Sequence, residues 1–288
     1  MSLSAASLAD LRREIDRIDD SVHDLLMRRA ALQSQVAAAK NDGAGYIRPG
    51  REALVLRRLL ARHAGALPKP VVVRIWREIF AAGLCLQSAF SLAVPGTAAG
   101  VDSARLQWLA REHFGIMTTL REAGSTRRVL QAVADGDASV GLLPLPQSEE
   151  ATPWWPALTR HGAGTPTIIA RLPFAVPDPR GPADEALVVG LTPPEPTGED
   201  RGYLVVATAE STSRSGLRAT VEAAGFPVLD WRVHNGGHGD VFYLIETGDI
   251  PATDDPRLAA LGRAGGGIVH DVWPLGGYAM PLGPSDLA

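Results

Sequence analysis

Apolar residues recur at alternating spacings of three and four through the first stretch of the chain: Leu8, Leu11, Ile15, Ile18, Val22, Leu25, then Leu32 and Val36. Arg29 stands where that stripe asks for another leucine. The seam predicts one amphipathic helix, and neither proline nor glycine interrupts it between Ser7 and Lys40. Ser7 is placed to cap its start, and NDGAG after Lys40 ends it. At 1.5 Å per residue such a helix is about 50 Å long, too long to bury its seam against one short neighbour, so packing between copies is expected. Shorter helical patterns follow in REALVLRRLLARH from Arg51 and, after the LPKP turn, from Val71 to about Phe90. Residues 1–90 therefore read as an all-α, three-helix unit with a long first helix.

Beyond this unit the period changes. SLAVPG reads as a strand entering a turn, SARLQWLAREHFG and STRRVLQAVADGD as helices, and ASVGLLPLP and TPTIIARLPF as strands, giving a reduced α/β region over residues 91–195. Dense proline and glycine in PFAVPDPRGP and TPPEPTGED mark irregular connections. From Arg201 the order strand, helix, strand, strand, helix, strand predicts a ferredoxin-like α+β domain of the split βαβ type over residues 196–288.

Composition narrows the class. With 288 residues, 45% of them hydrophobic and 21% charged, and no window resembling a membrane span, the chain reads as a soluble protein of two or three domains. Cys85 is the only cysteine, which excludes an intrachain disulfide and a cysteine-rich metal site. The opening residues turn acidic and helical without the apolar core of a signal peptide, so the cytoplasm is the expected compartment. Charge is uneven: residues 1–90 hold 14 Lys and Arg against 9 Asp and Glu, and the remainder 14 against 23. A basic first unit suggests an anionic partner. Its cations are interleaved with acids and its aromatics are only Tyr46, Trp76, Phe80 and, at its very end, Phe90, which argues against nucleic acid and for a small polyanion.

Arg29 and Lys40, eleven residues apart, fall within about 20° of each other around a helix and share a face. Arg12 lies about 25 Å before Arg29 along the axis, so it reaches the same site only from a second copy of the chain. Arg51 and Glu52 start the second helix. Trp76, Phe80, Gly83 and Gln87 align on the third, putting Gln87 on an apolar face where its amide needs partners. Together these residues outline a wet, cationic pocket in a helical bundle. The alternative for Arg29 is a snorkelling side chain or an ordinary interface ion pair.

Through LRREIDRIDDSVHDLLMRRAALQSQVAAAK, IRPGRE and IFAAGLCLQ, residues 8–88 resemble the AroQ-type, all-helical chorismate mutase domain, a homodimer whose long first helices interlock. The resemblance implies chorismate and prephenate as substrate and product in the shikimate pathway of aromatic amino-acid biosynthesis. It assigns substrate-carboxylate binding to Arg29 and to Arg12 donated across the dimer, donation to the ether oxygen to Lys40 and Gln87, and further substrate contacts to Arg51 and Glu52. Arg29, Lys40 and Gln87 form its catalytic set. Two positions depart from the family, Arg48 for an aspartate and Gly83 for a serine. The rearrangement is concerted, so the resemblance implies no cofactor and no metal. It requires a site that holds one conformer and stabilises charge growing on the ether oxygen.

Residues 91–288 resemble a shrunken prephenate dehydratase region followed by an ACT-type domain, on DGDASVGLLPLPQSEE, ALVVGLTPPEPTGEDRGYLVV, SRSGLRATVEAAGFPVLDWRV and DVFYLIETG. The dehydratase family's catalytic Thr-Arg-Phe falls on Asp184, Glu185 and Ala186, and its second lobe is missing, so this region is expected to be a catalytically dead remnant. Where the effector-binding Glu-Ser-Arg-Pro stands, the chain has Leu229, Asp230, Trp231 and Arg232, so that only an arginine is kept, one place later, leaving an aromatic amino-acid effector as an expectation. A bifunctional mutase and dehydratase, and a non-catalytic helical dimerisation module with a ligand-sensing domain, stand as alternatives. His234, His238 and His270 lack metal-ligand spacing, GRAGGG lacks the context of a dinucleotide motif, Trp154 and Trp155 read as packing residues, and Cys85 reads as core.

Overall fold

The computed structural model describes residues 7–39, 47–87, 89–96, 102–148, 150–160, 162, 164–176, 185–237, 239–264 and 268–288. Helix α1 spans Leu8–Ala39, α2 Pro49–Ala61 and α3 Lys69–Gln87. Ser7 caps α1 as its sequence suggests: Asp10 N donates to Ser7 Oγ at 3.2 Å while Ser7 N donates to Asp10 Oδ2 at 3.2 Å, a reciprocal pair that satisfies two free amides. Pro70 sits inside the first turn of α3, where its missing N–H costs nothing, rather than in a turn ahead of the helix. Phe90 lies beyond the described helix and enters the core of the α/β body. Cys85, expected in the core, is exposed, because the buried stripe of α3 runs through Val73, Arg77, Phe80 and Leu84 and Cys85 points about 100° away from Leu84.

Within the chain α1 packs against α3, and most of its apolar seam is bare. Leu8, Leu11, Ile15, Ile18, Val22, Leu25, Leu32 and Val36 are each between 50% and 64% exposed. A continuous apolar stripe of that length marks an association surface.

The rest of the chain builds one nine-stranded sheet in the order β2-β1-β3-β5-β4-β9-β6-β8-β7. Its strands are β1 (Ser91–Pro95), β2 (Thr119–Ala123), β3 (Val140–Pro144), β4 (Thr167–Leu172), β5 (Ala186–Gly190), β6 (Asp200–Ala209), β7 (Asp230–Gly237), β8 (Asp240–Thr247) and β9 (Val269–Ala279). Helices α4 (Ser103–Phe114), α5 (Thr126–Ala134), α6 (Arg214–Ala223), α7 (Pro256–Ala264) and the short α8 (Pro284–Leu287) complete it. The first half is parallel from β2 through β1 to β3, then antiparallel through β5 to β4. The second half, β9-β6-β8-β7, is antiparallel and has the βαββαβ order predicted for residues 196–288.

Two strands have no counterpart in the sequence pattern. β2, TLREA, lies at the sheet edge with no buried residue and no alternation to betray it. β5, ALVVG, lies between proline- and glycine-rich segments and reads as a connection, yet it is buried at all five positions between β3 and β4.

The halves join where Ile168 of β4 pairs with Gly276 of β9, and an isolated bridge between Ala175 and Leu282 extends the contact. Gly276 has φ +88°, and a β-carbon there would meet Ile168 O at 2.3 Å, so only glycine lets the two strands close. One apolar core runs across that joint, from Val129, Val133 and Leu187 to Val205, Leu275 and Tyr278. Trp154 and Trp155 are buried in it, as expected of packing residues. A further core unites the helical unit with the end of the chain: Leu56, Leu60 and Val73 pack with Phe174, Ala279, Leu282 and Leu287.

Candidate active site

Three helices converge on a cleft of about 370 Å³ lined by Arg29, Gln33 and Val36 of α1, Arg51, Glu52 and Val55 of α2, and Phe80, Leu84 and Gln87 of α3, with Arg48 at its rim. Amphipathicity puts them there. Each helix turns its apolar stripe inward, and the polar residues embedded in those stripes must face one another across the bundle. Arg29, which breaks the seam of α1, has its guanidinium carbon 5.7 Å from the Phe80 ring centroid and donates from Nη1 to Gln33 Oε1 at 2.8 Å. Partial burial lowers its pKa, and the charge of Glu52 opposes that shift.

Glu52 is largely buried and one of its oxygens, Oε2, accepts from Arg77 Nη1 at 2.8 Å. Burial pushes the Glu52 carboxyl above its usual range, against the pull of Arg77 and, more weakly, of Arg29. Arg48, where the mutase family carries an aspartate, forms a two-pronged pair with Glu195 of the loop before β6, with Nη2 at 2.8 Å and Nε at 3.1 Å from the carboxylate. The same loop is fixed by Arg57, whose Nη1 donates to Thr197 Oγ1 at 2.8 Å and Nη2 to Glu199 O at 3.0 Å. At Gly83, where the family carries a serine, a β-carbon would fall 2.1 Å from Gln33 Nε2.

Arg29, Arg51, Glu52 and Gln87 are thus brought together in one chain. Arg12 is not: it lies on the exposed first half of α1, and Lys40 lies outside the described residues. Gln33, Arg77 and Glu195 complete the surroundings and were missed in the sequence. Gln33 and Arg77 carried a signal, being polar residues on otherwise apolar helical stripes, one turn after Arg29 and after Val73 respectively. Glu195 carried none, because it meets Arg48 only through the fold.

In the second half, Glu185, the residue that the dehydratase resemblance sets against a catalytic arginine, is bonded to Arg171, whose Nε lies 2.5 Å from Glu185 Oε2. Arg171 Nη1 also donates to Tyr278 Oη at 2.7 Å, and Tyr278 donates in turn to Glu246. Asp184 and His238 lie outside the described residues, as do Gly265 to Gly267 of GRAGGG. Arg232 bonds Pro146 O and pairs with Asp230 at 2.7 Å. Among the described residues, no group of three or more His, Cys, Asp or Glu side chains is placed to hold a metal ion, and no helix is long and apolar enough to cross a membrane.

The helical unit, with its cationic, carboxylate-bearing cleft, is thus docked on a mixed α/β sheet. Residues 11–88 of the chain match the family described as chorismate mutase type II. Over 152 residues it is 29% identical to the bifunctional chorismate mutase/prephenate dehydratase of Stutzerimonas stutzeri, covering 51% of this chain and 40% of that protein. The enzyme of the same description from Pseudomonas aeruginosa is 30% identical over 149 residues, covering 50% of this chain and 40% of its own length. The chain therefore spans less than half the length of the curated relatives it matches. Among solved structures, a prephenate dehydratase from Streptococcus mutans is similar at a TM-score of 0.47 and 14% identity, covering 67% of this chain and 98% of that one.

Proposed function

We propose that the protein is a chorismate mutase of aromatic amino-acid biosynthesis, acting in the cytoplasm as a homodimer. The observation that carries this reading is the convergence of Arg29, Arg51, Glu52 and Gln87 on one cleft of a domain that matches the mutase family. The rearrangement breaks the ether C–O bond as a C–C bond forms, so atoms and electrons balance within the substrate. The protein has only to bind, orient and stabilise. Arg29, with Arg12 from the second subunit, clamps the carboxylates through charge-assisted hydrogen bonds, and Arg51 adds positive field. Gln87 and Lys40 donate to the ether oxygen where charge grows. Glu52 accepts from the substrate hydroxyl.

The bare seam of α1 supports the dimer. Residues 91–195 are proposed as a dehydratase remnant without dehydratase activity, supported by Glu185 at the arginine position and its bond to Arg171. Residues 196–288 are proposed as an ACT-like domain open to an aromatic amino-acid effector, supported by their strand order and by Arg232. Loss of chorismate absorbance with purified protein, followed by acid treatment to separate prephenate from phenylpyruvate, tests both. Enzyme-dependent prephenate without phenylpyruvate is expected. No consumption of chorismate refutes the mutase, and phenylpyruvate formed at neutral pH refutes the remnant.

A further inference from the structure

Arg77 is a buried arginine, 5% exposed, that does not itself line the mutase cleft. It stands behind Glu52. Its Nη1 lies 2.8 Å from Glu52 Oε2 and 3.3 Å from Nε2 of His113, and its guanidinium carbon sits 4.9 Å from the ring centroid of Phe174. His113 and Phe174 belong to the α/β body, not to the helical unit. The end of α4 is pressed onto the turn of α3 that follows Arg77: Gly115, at φ +82°, leaves no room for a β-carbon, which would fall 2.7 Å from Ala81 Cβ. His113 is buried, and burial followed by the charge of Arg77 holds its pKa well below the usual histidine value. Arginine offers only N–H donors, so in this contact Nε2 of His113 is the acceptor, a role a neutral imidazole fills.

We propose that Arg77 is a positioning residue of the mutase site, holding Glu52 as a carboxylate from behind, and that His113 and Phe174 hold Arg77, so that the α/β body completes the mutase cleft. The proposal rests on the mutase reading of that cleft. Its logic is electrostatic. A carboxyl buried as Glu52 is becomes a neutral acid unless cations face it, and the groups that do so are Arg77 from α3, Arg29 from α1 and, on or beside its own helix, Arg48 and Arg51. Arg29 and Arg51 are committed to the substrate, and Arg48 is tied to Glu195. Arg77 is the cation whose hydrogen bond belongs to Glu52, and with it Glu52 accepts from a substrate hydroxyl rather than donating to it. Behind Arg77 the charged neighbours are Arg74 and Glu112, which with His113 line a second cleft on the far side. On that side the α/β body sets the Nε2 of His113 within 3.3 Å of Arg77 Nη1, as an acceptor for the buried guanidinium.

The test is the pH dependence of kcat/KM for chorismate, measured on the full chain. Arg77→Met is expected to move the acidic limb upward by about one pH unit or more and to lower kcat/KM at neutral pH about tenfold, with Arg77→Lys recovering part of both. Arg77→Met leaves a buried carboxyl without its partner, so a gentler pair guards against loss of the fold. His113→Leu, which removes the acceptor, is expected to shift the limb in the same direction, and His113→Gln, which restores one, to shift it back. Profiles of Arg77→Met or His113→Leu that keep the wild-type shape and differ only in scale overturn the proposal. If wild-type protein leaves chorismate untouched, the mutase reading falls by itself. The carboxyl-carbon NMR titration of Glu52, assigned with Glu52→Gln, then decides: a higher midpoint in His113→Leu sustains the positioning role, and an unchanged midpoint sinks it.

Discussion

The side-chain amide of Gln33 fills the space that a β-carbon on residue 83 would need, with Nε2 2.1 Å from that position. Glycine at 83 and glutamine at 33 are therefore one feature, and the same glutamine accepts from Arg29. Gly83→Ala is expected to destabilise the protein by at most about 1 kcal/mol, because the flexible end of Gln33 can give way and alanine suits a helix better than glycine, and to disturb Arg29. Adding Gln33→Ala should recover part of that loss, so chemical denaturation of the two single variants and the double variant should give a non-additive cycle. Additive effects would separate the two residues.

Arg29 is the cation at the centre of the cleft. Arg29→Ala is expected to lower kcat/KM for chorismate by about a hundredfold or more, in line with the loss of a charge-assisted clamp in a catalytic site. Arg29→Leu should do the same while keeping or raising the melting temperature, since it restores an apolar seam. Turnover that survives Arg29→Leu would make the cation an ordinary interface residue.

Donation of Arg12 across a dimer has a kinetic signature. Arg12→Ala and Arg29→Ala homodimers should each be nearly inactive, but a re-equilibrated equimolar mixture should regain about a quarter of wild-type activity, because half the dimers are mixed and each has one intact site. Val22→Asp, in the bare seam of α1, should give monomers by analytical ultracentrifugation and abolish that complementation.

The Arg48–Glu195 pair joins the rim of the cleft to the loop entering the second half. Both side chains are close to half exposed, so Glu195→Ala is expected to cost under about 1 kcal/mol in stability. Freed of its partner, Arg48 can turn to the anionic substrate. Steady-state kinetics should show a lower KM with kcat unchanged.

Neutral burial of His113 also sets a stability trend. Its folded pKa lies well below 6.5, so the unfolded chain binds the extra proton first, and stability falls as pH drops from 6.5 toward the folded pKa, by at most about 1.4 kcal/mol per pH unit. Glu52, whose folded pKa is raised, works the other way in the range above its unfolded pKa. Comparing melting temperatures of wild type and His113→Gln between pH 7 and pH 5 isolates the histidine, and the wild type should lose more.

What the sequence determined is what periodicity and local chemistry write into neighbouring residues. Three helices, the length of α1, its Ser7 cap and the βαββαβ order after residue 200 follow from spacing and turn residues. The spacings along α1 and α3 were equally enough to put Arg29 and Gln87 on inward faces, since a helix fixes the angle between residues whatever it packs against. Tertiary structure alone decided the rest. β5 reads as linker because its burial comes from β3 and β4, strands far from it in sequence, and β2 has no apolar face to announce it. Arg77 stands out on the apolar stripe of α3 but has no visible partner until α4 supplies His113, and Arg48 looks like a damaged site until residue 195 supplies its partner. A charge buried in a folded chain takes its meaning from the groups that replace its water, and the fold draws those groups from anywhere along the chain.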